Sequence, residues 1–426
     1  MGPAPLEDTG AAPLEDTGAA PLEDLAITGV AVGGEGVGRL ADGRAVFVRG
    51  ALPGERVRVA VTERRHRFAR AHLSEVLAAA PERVAPPCPR VAEGCGGCDW
   101  QHVAPEAQRE LKARVVVDAV RRIGRLEPPE PDPGPPLPAG GWRTSVRALV
   151  DGDGRAGFRL HHAHDPLAVG PGGCLVAHPL VDEILRAGVF PPPVREVTVR
   201  AGAATGERLV LCTPAAGDSR VPDGVALIGA DELAAGHRAW IHDVVAGRRW
   251  RISAESFFQA RPDGAEALVD AVAAALGDTL RPNAALVDLY SGVGLFAGVL
   301  GQRTGGRVVA VESNRSAVAD ARINLADLAD LGGARIIRSD VRRWRPSAAD
   351  VVVADPSRHG LGADVVGRIG GTGAAALALV SCDAGALGRD AGLLAAAGWE
   401  LRSLRLVDLF PHTAHLEAVT GWVRGI

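Results

Sequence analysis

Val351-Val352-Val353-Ala354 runs straight into Asp355-Pro356-Ser357-Arg358, and a second apolar run, Ala374 to Val380, stops at Ser381-Cys382-Asp383. Short β-branched or apolar runs bounded by Pro and Gly read as strands buried in a parallel sheet. In an open α/β sheet the ligand crevice lies beyond the carboxyl ends of the strands. Asp355 and Cys382 are therefore expected to face one crevice. A lone cysteine is more often a buried structural thiol, so its neighbours have to carry the case for chemistry.

Upstream, the chain from Ala254 onward alternates helical and strand patterns, which implies α/β architecture with a doubly wound, Rossmann-like sheet. A first strand, Ala284 to Leu289, enters Asp288-Leu289-Tyr290-Ser291-Gly292-Val293-Gly294-Leu295-Phe296. A second, Arg307 to Val311, ends in Glu312, where an acid is placed to accept from ribose hydroxyls. The loop lacks the third Gly of a pyrophosphate fingerprint, so a nucleoside ligand suits it better than a dinucleotide. Together with Asp340 and Asp355, S-adenosylmethionine is the economical ligand.

Toward the N-terminus the chain changes character. Residues 4 to 24 repeat Ala-Pro-Leu-Glu-Asp-Thr-Gly-Ala with a period of eight. One Leu per acidic repeat does not offset the entropy of ordering, so 1–24 is expected to be a disordered tail. Leu25 to Val84 reads as a small β-barrel of oligonucleotide-binding type, its apolar runs separated by Gly-rich turns such as Gly33-Gly34-Glu35-Gly36-Val37-Gly38. Arg64, Arg65, Arg67 and Arg70, interleaved with His66 and Phe68, make a basic patch suited to RNA. A central α+β domain is expected over 85–250 and the catalytic domain over 251–426. The central domain opens with Cys88, Cys95 and Cys98, and with Cys174 as fourth ligand these thiols suggest metal or iron–sulfur binding. A helix from 105 to 125, a Pro-rich linker from Glu127 to Pro138 and a hairpin through Asp151-Gly152-Asp153-Gly154 follow.

Composition bounds these readings. A chain of 426 residues suits two or three domains. Lys112 is its only lysine, so anions must be met by guanidinium groups. Net charge is −4, and +2 once the six acids of Met1 to Asp24 are set aside; a mildly basic body permits nucleic-acid binding without requiring it. No apolar run approaches a membrane span, and no signal-peptide pattern opens the chain. A cytoplasmic monomer without membrane contact is expected, with cysteines free for ligation or catalysis.

The motifs together resemble the RNA uracil-5-methyltransferase family, S-adenosylmethionine enzymes with an N-terminal TRAM domain. The resemblance runs from Leu25 to Ile426. It is carried by Cys95-Gly-Gly-Cys98-Asp-Trp-Gln-His102, Ser256-Phe-Phe-Gln259, Asp288-Leu-Tyr-Ser-Gly-Val-Gly294, Ser381-Cys382 and Pro411-His-Thr-Ala-His-Leu-Glu417. It implies RNA as substrate, ribosomal ahead of transfer RNA. Gln259, Tyr290, Glu312, Asp340 and Asp355 would contact the cofactor or its immediate surroundings, Cys382 would be the nucleophile and Glu417 the base. Cys88, Cys95, Cys98 and Cys174 would hold a 4Fe-4S cluster. This sequence departs from the family at Asp383, Ser357, Leu295 and Arg261, and in the wider Cys88–Cys95 spacing.

The reaction itself asks for such residues. Uracil C5 is too weak a nucleophile to take a methyl unaided, but thiolate addition at C6 makes an enolate that can. A base must then remove the C5 proton so that the thiolate leaves. Three other classes are less well served. A radical methylthiotransferase would need a Cys-x3-Cys-x2-Cys triad, which is absent. A non-catalytic RNA-binding protein would not need Cys382 and Glu417, and a methyltransferase on another substrate would have no use for the barrel.

Overall fold

The computed structural model describes residues 22–425 apart from 162 and 164. The chemistry sits on a seven-stranded sheet. Its strands, in chain order, are β1 (Leu286–Leu289), β2 (Val308–Glu312), β3 (Ala334–Arg338), β4 (Val351–Ala354), β5 (Ala376–Ser381), β6 (Trp399–Leu406) and β7 (Ala418–Arg424). Their spatial order is β3-β2-β1-β4-β5-β7-β6. The first five are mutually parallel, and β7 inserts antiparallel between β5 and β6. The strand order reverses between β1 and β4, which opens the ligand crevice at their carboxyl ends.

The continuous apolar runs are explained by burial on both faces. Leu286, Val351, Val353, Ala376 and Ala378 pack into one core with the helices Pro262–Leu276 and Leu295–Thr304, while Val287, Val352 and Leu377 are equally buried on the opposite face. That first core also takes in Leu209, Ile228, Ile241 and Trp250 from the preceding segment. The division expected near residue 250 is therefore not a break in packing, and 85–426 form one compact unit.

Within this unit, a six-stranded sheet is built on Ser145–Val150 and the strands that flank it. The expected hairpin forms: Ser145–Val150 and Ala156–Arg159 pair antiparallel, and Asp151 accepts from the amides of Asp153 and Arg155 at the turn. Cys212 is fully buried in its strand, Arg208–Thr213, as an inert thiol.

Residues 22–84 belong to a separate compact unit, a closed five-stranded barrel. Two expectations are corrected there. Leu22–Val30 is a strand, so residues 22–24 are not part of a disordered tail; the rest of that tail lies outside the described residues. Leu22–Ala26 pairs with Arg56–Ala60, and Asp24 accepts from Arg58 while Glu23 accepts from Arg64. The supposed Gly turn contains a strand, Gly36–Arg39. Its glycines serve close approach: a Cβ on Gly36 would stand 2.6 Å from the Ala51 carbonyl oxygen, and one on Gly38 would stand 2.6 Å from Leu25. Glycine in a strand here marks crowded backbone rather than a bend.

Candidate active site

β4 and β5 both release their chains into a cleft of about 740 Å³ at the carboxyl edge of the sheet. Gln259, Tyr290, Glu312, Asp355, Cys382 and Glu417 all line it. The sheet register explains how residues so distant in sequence meet. Ser381 is paired with Ala418, so Cys382, one residue beyond β5, and Glu417, one residue before β7, leave adjacent strands at the same level. Asp355 follows Ala354, which pairs with Leu379 of β5. The three groups thus occupy the ends of three neighbouring strands.

Their proximity shows in their electrostatics. Glu417 is buried and is pushed well above the carboxylate range, first by desolvation and then by Asp355. Asp355, partly exposed at the cleft, is raised to about 7 by desolvation. The Cys382 thiol is raised to about 11 by burial and by the nearby Glu417 and Asp355, with Arg358 working in the opposite direction. Negative charge is thus disfavoured on all three until a cation enters the cleft.

The Gly loop after β1 is tightly fixed. Tyr290 holds φ 63° and Gly292 φ 55°; a left-handed φ on a bulky aromatic costs on the order of 1–2 kcal/mol. Its phenol is pushed up to about 12 by burial and the nearby Asp340. Glu312 accepts from the amides of Gly292, Ser313 and Asn314, which locks the loop to the end of β2. Asn324 donates to Val293 O and binds both backbone groups of Arg251. Below it, Asp288 is wholly buried, accepting from Ala297 N at 2.9 Å through one oxygen while the other has no partner. Burial raises Asp288 to about 8.

The Gln259 segment is held from the other side. Ser253 and Ser256 both donate to the buried Asp320 of helix Arg315–Asn324. This leaves Phe257 67% exposed at the rim of the cleft.

Asp340 stands close enough to Tyr290 to raise its phenol. It is not among the residues lining the cleft. Its carboxylate caps the turn after β3, accepting from the amide and guanidinium of Arg342, which hold it down at about 2. Three departures from the family pattern have structural roles instead. Asp383 caps helix Ala384–Ala396 through Ala386 N. Leu295 is buried in the core. Arg261, 1% exposed, bonds Asp263 and the Pro138 carbonyl against the Trp142 ring.

The four expected ligand thiols, Cys88, Cys95, Cys98 and Cys174, line one small enclosed pocket. Among the described residues, no group of three or more His, Cys, Asp or Glu side chains is placed to hold a metal ion. Burial raises Cys95, Cys98 and Cys174, Cys98 to about 12. Gly97, Arg143 and Phe158 line both this pocket and the cleft.

Sequence reasoning missed several residues of the cleft, including Arg143, Arg358, His415 and Phe257. Phe257, Arg358 and His415 lie inside motifs already singled out, whereas Arg143, in a run of alternating residues, gave no signal.

The barrel matches the TRAM domain over residues 23–74. An RNA methyltransferase of Streptomyces avermitilis is 38% identical over 420 residues, covering 92% of this chain and 95% of that protein. A 23S rRNA (uracil(1939)-C(5))-methyltransferase of Alkalilimnicola ehrlichii is 32% identical over 440 residues, covering 94% and 96%. The fold matches that of the Pyrococcus abyssi tRNA (uracil-54, C5)-methyltransferase, whose crystal structure holds S-adenosyl-L-homocysteine. The TM-score is 0.69 at 23% identity, over 94% of this chain and all of that one.

Proposed function

The chain belongs to the TRAM-containing RNA (uracil-5)-methyltransferases, and we propose that it forms 5-methyluridine in ribosomal RNA, with Cys382 as nucleophile and Glu417 as base. The observation that carries this assignment is the pairing of Ser381 with Ala418, which brings a thiol and a buried carboxylate to one edge of one cleft. The ribosomal preference rests on the relatives named for 23S rRNA. We propose that the protein acts as a monomer in the cytoplasm, where its substrate is found. Among the described residues no helix is long and apolar enough to cross a membrane.

The residues suit S-adenosylmethionine. Gly292 has nothing closer than 3.9 Å to the position of a Cβ, which leaves its backbone open to a nucleoside. Glu312, already accepting from three amides, is an acceptor for ribose hydroxyls. The crowded acids Asp355 and Glu417 favour a positively charged ligand. When bound, the cofactor supplies an electrophilic methyl group. Gln259 and Tyr290 would position it, and Asp340 would act only from outside the cleft lining, through its effect on Tyr290.

The protein's own part is addition and elimination. The Cys382 thiol gives up its proton to water, and its sulfur forms a bond to uracil C6 as the C5–C6 π pair moves toward the ring carbonyl. C5 then takes the methyl. Glu417 removes the C5 proton, the C5–C6 double bond re-forms, and the C6–sulfur bond breaks to release the thiolate. The target base must leave its stack to reach the cleft, and Phe257 at the rim offers a ring to neighbouring bases.

We also propose that Cys88, Cys95, Cys98 and Cys174 hold a 4Fe-4S cluster. The reading is supported by the four thiols lining one common pocket, since four cysteine thiolates are the ligand set such a cluster takes. Incubating the protein with ribosomal RNA and S-adenosylmethionine, then mapping 5-methyluridine by mass spectrometry, tests the function. No new 5-methyluridine in ribosomal RNA from a deletion strain would overturn it.

A further inference from the structure

The carboxylate at position 417 depends on a loop that has no regular structure of its own. Residues 407–417 connect β6 to β7, and His412 within them holds φ 67°. A loop strained in this way keeps its shape only when its surroundings over-determine it. The surroundings are one continuous segment, 99–112, which runs from beside Cys98 into the helix Pro105–Arg122.

The contacts are specific. Lys112 is 1% exposed and donates to Asp408 Oδ1 at 2.6 Å and to the Phe410 carbonyl at 3.0 Å. Gln108 accepts from His412 N at 2.6 Å, while its own amide donates to the carbonyls of Trp100 and Val103. Trp100 N donates to the His412 carbonyl at 2.9 Å, and Asp99 accepts from Ala414 N at 2.9 Å. Four backbone donors and acceptors of the loop, between 410 and 414, are thus held by side chains and backbone of one neighbouring segment. Beyond them, Val407 N donates to the Glu417 carbonyl at 2.9 Å, which closes the base of the loop.

A lysine buried against one carboxylate is costly when the only need is stability, because an apolar pair of similar volume serves as well. The chain spends its only lysine here. We infer that Lys112, Gln108 and Asp99 are positioning residues for Glu417, holding the loop so that its carboxylate meets the C5 proton during elimination. The inference rests on the reading of Glu417 as base. Its consequence is confined to one step. Addition at C6 and methyl transfer need Cys382 and the Gly loop, which this segment does not hold, whereas proton removal needs the carboxylate within hydrogen-bond reach.

The test uses the full-length protein with ribosomal RNA and S-adenosylmethionine. Product and the covalent protein–RNA adduct are measured separately, the second on a denaturing gel. Wild type should turn over without accumulating adduct, and Glu417→Gln should accumulate it; failure of either control overturns the function reading rather than this inference. Asp99→Ala and Gln108→Leu should slow product release on the order of 10²-fold, the effect of about 1 Å of misplacement, while adduct builds up and RNA affinity is unchanged. Lys112→Arg should keep most of the turnover that the double variant Lys112→Met/Asp408→Leu loses, the double variant removing both charges and so leaving none uncompensated. Variants that turn over normally, or that lose product and adduct together, would overturn the inference.

Discussion

Cys382 and Glu417 leave adjacent antiparallel strands at one level, because Ser381 and Ala418 are cross-strand partners. The thiol proposed to add and the carboxylate proposed to assist elimination are thereby brought by backbone pairing to one edge of the cleft. Cys382→Ala should give neither product nor adduct. Glu417→Gln should form the adduct but lose turnover by roughly 10²- to 10⁴-fold, as for removal of a general base. RNA with 5-fluorouridine at the target should trap wild type after methyl transfer, since fluorine does not leave as a cation. An adduct persisting in Cys382→Ala on a denaturing gel would move the nucleophile elsewhere.

The same crowding sets a pH dependence of turnover. Glu417 is raised by desolvation and by Asp355, and only its ionised form can accept a proton. Turnover should therefore rise with pH through that raised value and fall on the acid side. A rate–pH profile that shows no loss of turnover on the acid side would contradict this.

Asp288 makes a stability prediction of definite sign. Its folded value is raised to about 8 from 3.8 by burial. The folded state therefore keeps a proton that the unfolded chain releases between these values. Stability is unaffected below the unfolded value and falls as pH rises toward 8. Asp288→Asn removes this titration and can still accept from Ala297 N. It should be nearly neutral at pH 4 and stabilising at pH 8 by on the order of a few kcal/mol, at about 1.4 kcal/mol per unit. Thermal melts at the two pH values decide it, and equal shifts at both would count against it.

The α/β sheet and the cleft at its edge are legible because buried parallel strands leave unbroken apolar runs, and the runs of β1, β2, β4 and β5 each lead into a residue that lines the cleft. Gln259, Tyr290, Glu312, Asp355, Cys382 and Glu417 could therefore be placed from strand ends and motifs, and they share the cleft. Asp340 was read the same way but caps its own turn, because Arg342, two residues on, competes for the carboxylate. Gly36–Arg39 was hidden because glycine signals a turn locally, and only the crowding by Ala51 and Leu25 shows otherwise. The anchoring of Glu417 by Lys112 spans nearly 300 residues, and no local pattern could announce it.

The proposed cluster predicts colour and iron. Protein purified without oxygen should be brown and carry about four irons per chain, as four cysteine ligands imply. Cys98→Ser and Cys174→Ser should each lose most of the iron, whereas Cys212→Ser, altering a thiol buried in the other strand core, should keep it. Colourless protein with one zinc would overturn the assignment.

RNA affinity should respond to the acids of the barrel as much as to its arginines. Arg64 is paired with Glu23, Arg65 with Glu63 and Arg70 with Glu35, at 2.6 Å in each case. Arginines engaged in this way neutralise fewer phosphates than their number suggests, and such exposed pairs are individually weak, about 0–1 kcal/mol. RNA can therefore compete for them. Glu35→Gln with Glu63→Gln removes the carboxylate charges paired with Arg70 and Arg65 and should tighten RNA binding at low salt. It should also steepen the dependence of log affinity on log salt, by about 0.7 per added contact with single-stranded RNA. Arg65→Ala with Arg70→Ala should weaken binding and flatten the same slope. Titrations at several salt concentrations measure both, and slopes identical across the three proteins would take these arginines out of the RNA contact.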